Sequence, residues 1–185
     1  MPVGYITPEH FKDAFLSAIK ARESELTSFW AKDYYSQPKV GSYTAYFLNV
    51  ILRDVAEKLR LAVWPRDYYT LDAVLYQEAD TVNFPYETYA KSISVAIEHE
   101  HYAKDAHREI NKLQLFNAPL KVLFVYSSIQ SERQELLRKW ANMIQEADVF
   151  EEFSNTKKQL VIFGTSVAPI EWFFYCYIDG TFKGI

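Results

Sequence analysis

Four ionisable residues in succession, Glu98-His99-Glu100-His101, close the otherwise apolar run Val95-Ala96-Ile97. If the run is a strand, successive side chains alternate between its faces. Ala96, Glu98 and Glu100 then share one face, and Val95, Ile97, His99 and His101 share the other. Two carboxylates project side by side at the strand's carboxyl end. A third acid, Asp72, interrupts the apolar segment Leu71 to Tyr76. Should the two strands pair, Asp72, Glu98 and Glu100 converge, and three close carboxylates repel one another unless a cation sits among them. Oxygen-only ligands favour Mg²⁺, Mn²⁺ or Ca²⁺ over zinc. A Mg²⁺ held by one or two carboxylates keeps several waters and takes up substrate phosphate, so the chemistry expected here is phosphodiester hydrolysis.

The elements that would position these residues follow from period and punctuation. Thr7-Pro8-Glu9 reads as a helix start, with Thr7 as N-cap and Pro8 at the first helical position. Phe11, Phe15, Ile19 and Leu26 continue at helical spacing towards Trp30, and a second helix is expected from Ser42 to Leu59, after the turn-rich connector Asp33 to Ser42. Strands are expected at 68–77 and 92–100, separated by a looping segment from Glu78 to Ala90. A helix is expected from Tyr102 to Phe116, and a strand buried on both faces at 120–128. The Ser131-Glu132-Arg133-Gln134 run resembles a capping box that opens a helix to Ala147, and two strands, 159–166 and 171–179, end the chain. The strand, helix, strand unit from Ser92 to Ser127 predicts a parallel crossover. The fold class is therefore α/β, with a mixed central sheet flanked by helices. The 185 residues are expected to form a single domain, with N-terminal helices over 1–60 and a core over 61–185.

Composition narrows the functions. A formal net charge of −4 gives no global basic footprint for coating nucleic acid, yet it is compatible with a nuclease whose metal ligands are acidic. With one cysteine, Cys176, neither a disulfide nor a cysteine-cluster zinc site can form within the chain. The absence of a long apolar run predicts no membrane span and makes a cytoplasmic location the default. Signatures of P-loop NTPases, serine hydrolases and Rossmann dinucleotide binders are missing. Tyr34-Tyr35, Tyr68-Tyr69 and the run Trp172 to Tyr177 offer rings of the kind that stack on bases, although at strand positions such rings more often pack a core.

Asp72 in "LDAVLY", Glu98-His99-Glu100 in "VAIEHE", a helix, and then "APLKVLFVY" together resemble the core of the PD-(D/E)xK nuclease superfamily, the restriction-endonuclease-like fold. The resemblance covers roughly Leu59 to Ser127. It implies a Mg²⁺- or Mn²⁺-dependent endonuclease with DNA as the favoured substrate, Asp72, Glu98 and Glu100 as catalytic and metal-binding residues, and a homodimer as a plausible assembly. Glu100 stands where the superfamily most often has lysine, so the chain departs from the acid-x-Lys pattern. A replacement lysine is available in the following helix as Lys104 or Lys112, with Glu109 facing the same way; Glu57 matches the acid that some members carry on the preceding helix, and His99 is a possible phosphate contact. Arg66 and Lys112 are further candidate phosphate contacts.

Two other readings stand beside this one. The first is a catalytically inactive domain of the same fold serving as an interaction module for protein or nucleic acid. The second is a histidine-based metalloprotein using His99, His101 and His107.

Overall fold

The computed structural model describes residues 5–35, 42–64, 67–83, 85, 88–148, 158–167 and 169–185. The N-terminal helical pattern folds as α1 (Pro8–Ala21) and α2 (Glu23–Tyr35), with a break at Arg22. Thr7 caps α1 as its type predicts, its Oγ1 accepting the His10 N–H at 3.2 Å. The helix expected over 42–59 forms in three parts: α3 (Ser42–Tyr46), a π-helical turn (Phe47–Ile51) and α4 (Leu52–Leu59). Residues 36–41 of the connector lie outside the described residues.

The strands that follow are β1 (Ala62–Val63), β2 (Ala73–Tyr76), the hairpin pair β3 (Thr81–Asn83) and β4 (Thr88–Ala90), and β5 (Val95–Glu100). After them come α5 (His107–Gln114), β6 (Leu120–Tyr126), α6 (Gln130–Ala147), β7 (Lys158–Gly164), β8 (Trp172–Ile178) and β9 (Thr181–Gly184). Among the described residues, seven strands form one sheet in the order β1-β2-β5-β6-β7-β8-β9. β5, β6 and β7 are parallel, and the remaining neighbours are antiparallel, so the sheet is mixed. The parallel pairing of β5 with β6 across α5 is the crossover that the sequence predicts.

Strand periodicity divides the apolar residues between two cores. Val95, Ile97, Val122, Phe124, Leu160 and Ile162 face a layer built by α1, α3, the π turn and α4. Val74, Ala96, Leu123, Val125, Val161 and Phe163 face α5 and α6. β6 is buried along all seven residues, which explains its near-continuous apolar sequence. The N-terminal helices therefore complete one covering layer of the sheet. Cys176 is buried, and burial pushes its thiol up to about 11, consistent with an inert packing role.

Several expected boundaries shift. Residues 103–106 form turns, and α5 begins only at His107, because Glu100 Oε1 takes the Tyr102 N–H at 2.9 Å and bends the chain as it leaves β5. The strand expected over 68–77 is confined to Ala73–Tyr76 because Tyr68 and Leu71 exchange both backbone hydrogen bonds across a tight turn, at 3.0 and 3.1 Å. The expected capping box is not used: α6 starts at Gln130 after Ile129, and the Glu132 side chain instead accepts from Ser127 Oγ. The segment expected to loop carries the β3–β4 hairpin, and β1 is too short to leave a periodic signal.

Candidate functional site

Register brings the first two acids together. β2 and β5 pair antiparallel with Ala73 opposite Ile97 and Val74 opposite Ala96. One step further places Asp72 opposite Glu98, with both side chains on the face covered by α5. A slip of one residue would send them to opposite faces. Asp72 lies just beyond β2, and its carboxylate takes over the role of a ladder partner: Oδ2 accepts the backbone N–H of His99 at 2.8 Å.

The helix supplies the rest. Glu109 and Lys112 are one turn apart on α5, a spacing that stacks them on one helix face. Lys112 Nζ lies 2.9 Å from Glu98 Oε1, 2.5 Å from Glu109 Oε2 and 3.0 Å from the Thr70 carbonyl, to which it donates. Lys112 thus bridges the buried oxygens Glu98 Oε1 and Glu109 Oε2 from the helix. The Glu98 carboxyl is also within hydrogen-bonding reach of both Asp72 and Glu109.

The electrostatics follow from crowding acids in a dry place. Glu98 is 1 % exposed. Burial, reinforced by its hydrogen bond to Glu109 and the nearby Asp72 charge, pushes its pKa up to about 10, so at neutral pH it holds a proton. Burial also raises Asp72, against the opposing His99 N–H bond and Lys112. For Glu109, burial is outweighed by the Glu98 hydrogen bond and Lys112, which hold it below the usual carboxylate range. Burial depresses the Lys112 ammonium, but Glu109 and Glu98 outweigh it and leave the pKa raised. Lys112 thus sits among three acids, of which Glu98 holds a proton and Glu109 is held in its charged form.

Of the other expected residues, Glu100 follows Glu98 on the same strand face but is half-buried at the rim, with Oε1 occupied by Tyr102 N–H. Glu57 is exposed on α4, in the layer covering the opposite face of the sheet, and does not join the cluster. Arg66 lies outside the described residues. Lys104 and His107 open onto a different pocket of about 440 Å³ against α6, beside Glu132, Lys139 and Trp140.

The histidines divide between the two layers. His99 projects to the face opposite Glu98 and is buried, its ring stacked on Phe47 at 4.6 Å and its Nε2 3.0 Å from the Tyr126 hydroxyl, which is 2.7 Å from that of Tyr43. Burial, aided by the neighbouring His101, pulls the His99 pKa down to about 3, so the ring is neutral. His101 lies beside it, with ring centroids 5.1 Å apart and Nε2 3.4 Å from Thr44 Oγ1. His107 belongs to the other layer, so the three rings do not converge. His99 reaches the acid cluster only through its backbone N–H.

Among the described residues, no group of three His, Cys, Asp or Glu side chains is disposed to hold a metal ion on its own. Two of the acids, Asp72 and Glu98, nevertheless fit a cation that completes its shell with water and substrate oxygens: they are hard, oxygen-only and adjacent by register, and the ammonium of Lys112 already sits at Glu98 Oε1, where such a cation would take its place. No protein-family model matches the chain, and no curated protein matches it.

Proposed function

We propose that the protein is a metal-dependent phosphodiester hydrolase acting on nucleic acid, centred on Asp72, Glu98 and Lys112. The observation that carries this reading is the register that sets Asp72 opposite Glu98 at a sheet end, with Lys112 reaching both Glu98 and the Thr70 carbonyl. The antiparallel pair β2–β5, followed by α5 and the parallel β6, supports the strand, strand, helix, strand order on which the resemblance rests. DNA is the favoured substrate, and a homodimer the favoured assembly, by that resemblance.

Asp72 and Glu98 would hold a Mg²⁺ or Mn²⁺, with Glu98 giving up its proton, and the ion would supply Lewis-acid polarisation of the phosphoryl oxygen and a more acidic water. Lys112 would stand in for the superfamily's strand lysine from the helix: on releasing Glu98, its ammonium would neutralise charge on a non-bridging phosphate oxygen or orient the attacking water. Glu109 holds that ammonium in position. Glu100 contributes from the rim through its second carboxylate oxygen.

One observation favours a second reading, an interaction module of this fold without catalysis: Lys112 is already bound internally by Glu98 and Glu109. Calorimetric titration with Mn²⁺, with and without a short deoxyoligonucleotide, separates the two. The hydrolase reading expects binding that releases a proton and is lost in the Asp72→Asn, Glu98→Gln double variant. Absence of specific binding under both conditions supports the module. Binding that persists in the double variant places the metal elsewhere and overturns the site.

A further inference from the structure

Two of the most exposed aromatic side chains stand beyond the sheet end that carries the acid cluster. Tyr69 is 72 % exposed and Tyr102 is 67 % exposed. Tyr69 lies three residues before Asp72, in the turn that enters β2, and Tyr102 lies two residues after Glu100, where the chain leaves β5. Because β2 and β5 are antiparallel, both positions fall at the same end of the sheet.

Neither ring is carried by a loose backbone. Tyr69 and Thr70 have φ of 48° and 75°, in the left-handed region that non-glycine residues, and β-branched ones above all, avoid. The turn is held closed by the reciprocal Tyr68–Leu71 hydrogen bonds and by Lys112 Nζ donating to the Thr70 carbonyl. The buried Tyr68 ring braces Tyr69 edge-on, with centroids 4.9 Å apart. Tyr102 is fixed through its N–H by Glu100 Oε1. Each exposed ring is therefore tied to a side chain of the proposed site, with an apolar face left to solvent. Lys104 and Arg108, both exposed, lie on the turn and the first turn of α5 that follow Tyr102 and can track a phosphate backbone.

We infer that Tyr69 and Tyr102 form stacking platforms for unpaired nucleobases on either side of the site, so that the preferred substrate is a single strand or an unpaired segment rather than a closed duplex. This rests on the hydrolase reading for its substrate class. A base in a closed duplex has its faces covered by its neighbours, whereas an unpaired base offers a free face, and stacking on an aromatic ring tolerates any sequence. The net charge of −4 also suits a binder that gains affinity from base stacking as well as from phosphate contacts.

The test measures anisotropy of a fluorescein-labelled single strand of about twelve nucleotides, and of its duplex, in Ca²⁺. It is paired with hydrolysis of bis(para-nitrophenyl) phosphate in Mn²⁺, a small diester without bases. The wild type should bind the single strand more tightly than the duplex. Tyr69→Ala and Tyr102→Ala should each weaken single-strand binding about tenfold, with Tyr→Trp variants restoring it and small-diester hydrolysis unchanged. Tighter duplex binding, or alanine variants that bind as the wild type does, would overturn the inference while leaving the hydrolase reading intact. Single-strand binding through the tyrosines without any diester hydrolysis would uphold the platforms and sink the hydrolase reading. Cleavage of a deoxy strand compared with its ribo equivalent distinguishes DNA from RNA as the source of the bases.

Discussion

Asp72 and His99 are joined by a side-chain-to-backbone hydrogen bond of 2.8 Å, and that contact fixes where the acids meet. It extends the β2–β5 pairing past the last true ladder step and aims the Asp72 carboxyl at the face that bears Glu98. On the opposite face, the His99 ring is locked between Phe47 and Tyr126. One strand residue thus couples an aromatic core on one side to an acid cluster on the other.

Glu98 should make neutral pH less favourable to the fold. Its folded pKa, near 10, lies above that of the unfolded carboxyl, so the native state retains a proton that the unfolded chain gives up. Its contribution is fully present below the unfolded value of about 4.3 and is lost as pH rises towards 10. Glu98→Gln mimics the protonated form and should raise the melting temperature at pH 8 more than at pH 5. An equal shift at both pH values contradicts a proton held on Glu98.

The sign reverses for His99. Its folded pKa, near 3, lies below that of the unfolded imidazole at about 6.5, so the unfolded chain binds a proton that the native state refuses. Stability is present above pH 6.5 and is lost as pH falls towards 3. His99→Gln keeps a polar group near the Tyr126 hydroxyl, costs some packing against Phe47, and should flatten the acid limb of a urea-midpoint profile between pH 6.5 and 4. An unchanged slope there would show that the ring is not the group responsible.

Lys112 connects the acids to the Thr70 turn. Lys112→Met keeps most of the side-chain length but removes the ammonium, leaving Glu98 and Glu109 without their shared cation. Hydrolysis should fall about hundredfold, and unfolding by urea should show a loss of about 1–3 kcal/mol. A large stability loss with full activity would confine Lys112 to a structural role.

Much of this arrangement is legible in the sequence because two rules are strong. Alternation along 95–100 separates Glu98 from His99, and an acid amid apolar residues singles out Asp72. The long apolar run at 120–126 marks a strand buried on both faces. What escapes has local causes. The Tyr68–Leu71 turn places tyrosine and threonine where turn chemistry predicts glycine or asparagine, so nothing announces it. The π turn at Phe47–Ile51 disturbs a helical period without erasing it, yet it lies where Phe47 meets His99. Glu109 and Lys112 are readable as candidates from helix phase, but their closure on Glu98 is a tertiary fact. Glu57 satisfies a spacing resemblance while α4 packs on the other face of the sheet.

The most direct test is cleavage of fluorescein-labelled single-stranded and duplex DNA by the wild type and by Asp72→Asn, each with Mn²⁺ and with EDTA. The expected result is cleavage that requires the metal and falls at least about hundredfold in the variant, which keeps the shape of Asp72 but removes its charge. No cleavage of either substrate in Mn²⁺, or cleavage that Asp72→Asn leaves untouched, would contradict a hydrolytic site built on Asp72 and Glu98.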